Sequence, residues 1–150
     1  MSKKAYLLED RIKRIGHYLL PGLTLTVGRN SRCDISTLNP KTIEPGYTIE
    51  EKIAAGHVSG IHFYISYERD GNIYLWDNES TNGLYIKQKE EIDLRRIFRR
   101  TVIHPGTSIF ASMGYEFFLR EKKIDIDAQK SAEERASAES TRILMYEETF

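Results

Sequence analysis

The sequence predicts an all-β fold, a sandwich of two antiparallel sheets followed by a polar tail. Three observations carry this. Nine tyrosines, six phenylalanines and one tryptophan are spread among short β-branched runs, the composition that suits a pleated, half-buried surface. Several runs alternate with period two, as in Leu23-Thr24-Leu25-Thr26-Val27 and Phe63-Tyr64-Ile65-Ser66-Tyr67, so that each run has one apolar face. Turn signals separate them at short intervals, among them Pro21-Gly22, Asp70-Gly71 and Pro105-Gly106, the spacing expected of a sandwich.

Taken in order, Ala5 to Glu9 and His17 to Leu20 read as strands joined by a basic turn ending at Gly16, and Leu23 to Val27 as a third that runs into Gly28-Arg29. Asn39 to Ala55 holds Pro40, Pro45 and Gly46 without sustained periodicity. It reads as a long loop with a helical turn near Glu50-Glu51-Lys52, and loops of that length inside a domain tend to be functional. His57 to His62 opens a strand continuing to Tyr67, and Asp70-Gly71 turns it into Asn72 to Trp76. Leu84 to Ile86, Thr107 to Ala111 and Tyr115 to Arg120 complete the strands.

Near Lys122 the composition shifts to Ala, Glu, Ser and Lys without aromatics. This divides the chain into a domain over 1–122 and a charged linker or helical tail over 123–150. Ser131 and Glu134 have capping-box spacing for a helix starting near Ala132.

One domain is what 150 residues support. Lys+Arg 22 balances Asp+Glu 22, so nothing global marks a nucleic-acid or membrane-surface binder, and any anion site must be local. The single cysteine, Cys33, has no partner for an internal disulfide, and the first residues lack the apolar run of a signal peptide. The expected setting is intracellular, nuclear or cytoplasmic, away from membranes.

The most informative stretch is Asp77-Asn78-Glu79-Ser80-Thr81-Asn82-Gly83 between two strands. By itself it is a wide polar turn, with a hydroxyl and a carboxamide at Thr81 and Asn82 and a glycine that permits positive φ. Two further pieces precede it, Gly28-Arg29 at a strand end and Ser59-Gly60-Ile61-His62 at a strand start. In this order on a β-sandwich, the three pieces resemble the forkhead-associated (FHA) family of phosphothreonine-binding domains over roughly Tyr6 to Lys122. The likeness extends to Cys33-Asp34-Ile35, to Asp77 and to the Pro105-Gly106 turn.

The resemblance implies a non-catalytic module that binds a threonine-phosphorylated partner protein without cofactors. Arg29, Ser59 and Thr81 would hold the phosphate, Asn82 the peptide backbone, and His57 and Gly60 would tune selectivity. Gly28, His62 and Gly83 would be structural supports. A phosphothreonine carries nearly two charges and several acceptor oxygens, so a planar guanidinium with neutral donors around it suits that ligand. The sequence departs from the family pattern at Gly60, Leu84, Lys87 and Thr107, none of which is a proposed phosphate or backbone contact. Family members also stand ahead of checkpoint-type kinase domains, which implies a place in signalling or the DNA-damage response, although no kinase motif occurs here.

The same residues speak against other classes. Ser59 and His62, three apart at a strand start, would face opposite sides, wrong for a nucleophile and its base. The four histidines lack ligand spacing for a metal. Arg95-Arg96 and Arg99-Arg100 around Ile97-Phe98 read as a solvated surface with an apolar anchor rather than a nucleic-acid site. Thr141, followed three residues later by Leu144, is a candidate phosphosite for phospho-dependent homodimerisation. The main alternative function is an FHA-fold interaction or dimerisation domain that works through a phosphate-independent surface.

Overall fold

The computed structural model describes residues 2–37, 46–112, 114–125 and 142–144. Twelve strands and one helix are found among them. The strands are β1 (Ser2–Asp10), β2 (Ile15–Leu19), β3 (Thr24–Gly28), β4 (Ile35–Ser36), β5 (Phe63–Tyr67), β6 (Ile73–Asp77), β7 (Leu84–Lys87), β8 (Arg95–Arg96), β9 (Thr101–Ile103), β10 (Ser108–Ala111), β11 (Tyr115–Asp125) and β12 (Arg142–Leu144). The helix α1 (Ile49–Gly56) lies between β4 and β5.

The strands form two sheets, ordered β12-β2-β1-β11-β10-β7-β8 and β4-β3-β5-β6-β9. The sandwich is therefore as expected, with one difference: β4 pairs parallel to β3, through Val27 with Ile35 and Gly28 with Ser36. β4 follows β3 closely in sequence, yet the chain makes a loop over Arg29 to Asp34 and returns in the same direction. That loop projects Arg29 from the sheet end.

The alternation read from the sequence builds the core. Leu25 and Val27 of β3, Phe63, Ile65 and Tyr67 of β5, and Ile73 and Leu75 of β6 are buried, and they meet Leu84, Ile86, Ile109, Phe117 and Leu119 of the other sheet. Phe63 and Phe117 join the sheets edge to face, with ring centroids 5.6 Å apart. The outward side of the same strands carries Tyr64 stacked on Trp76 at 5.3 Å.

Two expectations about strand limits are corrected. β5 begins at Phe63, so Ser59 to His62 is a bend; Ile61 is exposed and His62 fully buried. The alternation therefore starts at Phe63, two residues later than the apolar Ile61 suggests. β11 pairs with β1 as far as Asp125 with Ser2, past Lys122, because β1 supplies a full-length partner.

The loop around Glu50 is an eight-residue helix. Thr48 caps it, accepting from the Glu51 amide at 3.0 Å while the Glu51 carboxylate accepts from the Thr48 amide at 2.8 Å, a reciprocal capping box. The expected helix near Ala132 and the phosphosite Thr141 lie outside the described residues. Within the tail, residues 142–144 form a strand on β2, with Leu144 opposite Ile15.

Candidate functional site

The proposed residues lie on three neighbouring segments at one end of the sandwich: the β3–β4 loop, the bend between α1 and β5, and the β6–β7 loop. Main-chain bonds set their register. The Arg29 amide donates to the Ser59 carbonyl at 2.9 Å, and the Asn30 amide to the Gly60 carbonyl at 2.9 Å. The His62 amide returns to the Val27 carbonyl at 2.8 Å.

Gly28 is what allows this approach. A Cβ there would stand 2.2 Å from the Gly60 carbonyl oxygen and 2.9 Å from the His62 nitrogen, far inside contact distance. Close approach, rather than a special dihedral, makes this position a glycine. Gly60 is the opposite case, since a Cβ there would meet nothing within 4 Å.

The third segment is tied on through Ser59. The Thr81 amide donates to Ser59 Oγ at 3.0 Å. Because the hydroxyl accepts this bond, its own hydrogen stays available to an anion. The loop is held by its own side chains: Asp77 Oδ1 accepts from the Ser80 amide and Ser80 Oγ from the Gly83 amide, each at 3.1 Å. Glu79 and Gly83 turn the chain with φ of 51° and 89°. Ser80 is buried while Thr81 and Asn82 are exposed, so the buried serine fixes a turn that presents its two neighbours.

The His62 ring joins the Ser59 segment to the β6–β7 loop from behind. Its Nδ1 accepts from the Ser59 amide at 3.0 Å. The ring is then the Nε2–H tautomer, and that N–H donates to the Gly83 carbonyl at 2.6 Å. Burial pushes its pKa below the ordinary 6.5, partly offset by the Gly83 bond and by the charge of Asp77. The stretch expected to be a strand start is a bend, and it brings the His62 ring onto the Ser59 backbone amide rather than its hydroxyl. Both ring nitrogens are committed, so the ring is no base for Ser59 Oγ.

Arg29 and Asn82 each touch the segment leaving α1. The Arg29 guanidinium donates to the Gly56 carbonyl at 3.1 Å, an end-of-helix carbonyl with no partner inside the helix. Asn82 Nδ2 donates to the His57 carbonyl at 2.8 Å, which directs the amide nitrogen inward and leaves its Oδ1 for a ligand N–H. His57 itself is exposed, just past the helix end. The arrangement thus offers a guanidinium, two hydroxyls and a carboxamide on exposed loops, braced by a neutral buried imidazole: a fit for a tetrahedral anion on an extended chain.

Sequence reasoning missed the bracing roles of Ser80 and of α1. Thr48 and Glu51 have capping-box spacing, a signal that could have found the helix. Among the described residues no group of three His, Cys, Asp or Glu could hold a metal ion, and no helix is long and apolar enough to cross a membrane.

Comparison with known proteins agrees with this architecture. The FHA domain family model matches residues 25–109, more than half of the chain, and the chain belongs to that family of non-catalytic interaction modules. Among solved structures, the FHA domain of the CT664 protein from Chlamydia trachomatis superposes with a TM-score of 0.56 at 18% identity, covering 77% of this chain and 96% of that one. The FHA domain of human APLF in complex with an XRCC1 bisphospho peptide gives 0.53 at 18%, covering 77% and 97%. Mycobacterium tuberculosis EmbR in complex with a low-affinity phosphopeptide gives 0.53 at 20%, covering 77% of this chain and 24% of that longer one. At these identities the likeness concerns the fold. No curated protein matched the chain.

Proposed function

We propose that this chain is a phosphothreonine-peptide-binding module for phosphorylation-dependent association with a partner protein. The observation that carries the reading is the convergence of Arg29, Ser59 and Thr81, joined through the Arg29–Ser59 and Thr81–Ser59 bonds of 2.9 and 3.0 Å. The Arg29 guanidinium supplies the charge and the planar donor pair, and the Ser59 and Thr81 hydroxyls supply neutral donors. Asn82 holds the ligand's main chain through Oδ1 and so contributes affinity without reading side chains. His57 and Gly60 border the same edge and select among flanking residues.

Preference for phosphothreonine over phosphoserine rests on one methyl group, worth about 1–3 kcal/mol in a close-fitting recess. The setting is intracellular signalling, in the nucleus or cytoplasm; the single cysteine, with no partner for an internal disulfide, is compatible with it. Related domains seen with phosphopeptides, those of APLF and EmbR, lend the reading its ligand class.

The test is the affinity for a degenerate phosphothreonine peptide library compared with its dephosphorylated twin. The phosphorylated library binds at least tenfold tighter, and Arg29→Ala removes the difference. A difference that survives Arg29→Ala overturns the pocket assignment, and equal affinity for both libraries favours the phosphate-independent surface instead.

A further inference from the structure

The four arginines that follow β7 are not equivalent. Arg95 Nε lies 3.5 Å from the Glu91 carboxylate, and an Arg100 nitrogen 2.6 Å from that of Glu68. Arg100 also lies flat on Tyr74, 3.8 Å from the ring centroid. Both are spent on intramolecular partners. Among the described residues no carboxylate lies within ion-pair distance of Arg96. Two rings hold it instead, Phe98 at 4.9 Å and Tyr85 at 6.0 Å from the guanidinium carbon.

Its position is specific. β8 pairs with β7 so that Arg96 stands opposite Tyr85, two residues beyond the Asn82–Gly83 turn. A Cβ placed on Gly83 would lie 2.9 Å from Arg96 Nε and 3.1 Å from its Cζ. The guanidinium therefore packs directly against the backbone of the loop that carries Asn82. Phe98, the ring against it, is itself 76% exposed, so the pair stands at the surface beside the loop.

We infer that Arg96 is a second anion-binding residue of the peptide edge, taking the carboxylate of an acidic residue or a second phosphate that flanks the phosphothreonine. This rests on the phosphopeptide reading and adds to it the chemistry of the flanking sequence. Stacking on an aromatic face leaves the in-plane N–H donors of a guanidinium open to a bidentate anion. Being already held by two rings, the side chain loses less freedom on binding than a free arginine. A peptide gripped by Asn82 passes within reach of it, because Gly83 puts no side chain in between. Arg95, also exposed but engaged with Glu91, is the natural control for loss of one positive charge.

The experiment titrates phosphothreonine peptides of otherwise neutral sequence, in which aspartate, phosphoserine or alanine is placed at each position flanking the phosphothreonine. Wild type, Arg96→Gln and Arg95→Gln are compared. At one or two positions wild type binds the aspartate or phosphoserine peptide roughly five- to thirtyfold tighter than the alanine peptide. Arg96→Gln removes that preference while keeping the affinity for the neutral phosphopeptide, and Arg95→Gln keeps both. Which substituent gains more identifies the source, carboxylate or second phosphate.

Three results overturn the assignment: an acidic preference unchanged in Arg96→Gln, equal losses in the two variants, which would mark a diffuse field, or equal weakening of neutral and acidic peptides, which would put Arg96 on the phosphothreonine itself. If wild type binds phosphorylated and unphosphorylated neutral peptides alike, the phosphopeptide reading fails, and this assignment with it.

Discussion

The Ser59 amide and the His62 ring are bonded across 3.0 Å, and the same ring reaches the Gly83 carbonyl at 2.6 Å. One imidazole thus sets the distance between the segment that carries Ser59 and the loop that carries Thr81 and Asn82. The arrangement works only for the neutral ring, because Nδ1 must accept. His62→Ala removes the acceptor of the Ser59 amide and leaves a cavity, at a cost of about 2–4 kcal/mol in unfolding free energy. Since folding lowers the His62 pKa below 6.5, the folded state resists protonation. Its contribution is present above pH 6.5 and declines as pH falls through the folded-state value. Chemical denaturation at pH 7.5 and 5 should show wild type losing more stability on acidification than His62→Ala; equal losses would remove the ring from this role.

Gly28 and Gly60 give opposite expectations for the same kind of change. Gly28→Ala forces a methyl onto the Gly60 carbonyl and costs on the order of 1–3 kcal/mol or more, while displacing Arg29 from Ser59. Phosphopeptide affinity falls with it. Gly60→Arg enters open space, so stability changes by less than about 0.5 kcal/mol. The added cation beside Ser59 tightens phosphopeptide binding several-fold. Paired melting curves and titrations check both, and a Gly28→Ala variant that binds as well as wild type would contradict the packing argument.

Asp10 sets a second pH dependence. It is buried and accepts from the Ile12 and Lys13 amides and from the Tyr115 hydroxyl at 2.8 Å. Burial outweighs these bonds and raises its pKa from 3.8 to about 6. The folded state therefore holds the proton more tightly than the unfolded one, so this group favours folding at low pH and the benefit is lost as pH rises from about 4 to 6. Relative to Asp10→Asn, wild type should lose up to about 3 kcal/mol over that interval. Unfolding free energies of both proteins at pH 4 and 7 measure it; a constant difference would show an ordinary Asp10 pKa.

Much of the fold was legible in the sequence for physical reasons. Period-two alternation in Leu23 to Val27 and Phe63 to Tyr67 names the buried faces because a sheet packed on one side needs it. Arg29, Ser59, Thr81 and Asn82 are each ordinary strand-end or turn residues in the sequence; only their order along the chain, which resembles the FHA pattern, singles them out. What the sequence hid depends on tertiary pairing. β4 and β8 are two residues each and exist only because β3 and β7 lie beside them. The apolar Ile61 invited an early start to β5, but the chain needs a bend there to bring His62 under Ser59. Nothing local shows that Arg96 returns to Gly83, since that contact is made by strand pairing across the Lys87–Arg95 loop.

The central claim is that a phosphothreonine occupies the edge defined by Arg29, Ser59, Thr81 and Asn82. Two-dimensional amide NMR of the labelled protein, titrated with a phosphothreonine peptide and then with its unphosphorylated twin, tests it most directly. Phosphate-dependent shifts are expected at Arg29, Asn30, Ser59, Gly60, Thr81 and Asn82, absent with the twin. Shifts of equal size with both peptides, or shifts centred on Tyr64, Tyr74 and Trp76 of the outer sheet face, would contradict it.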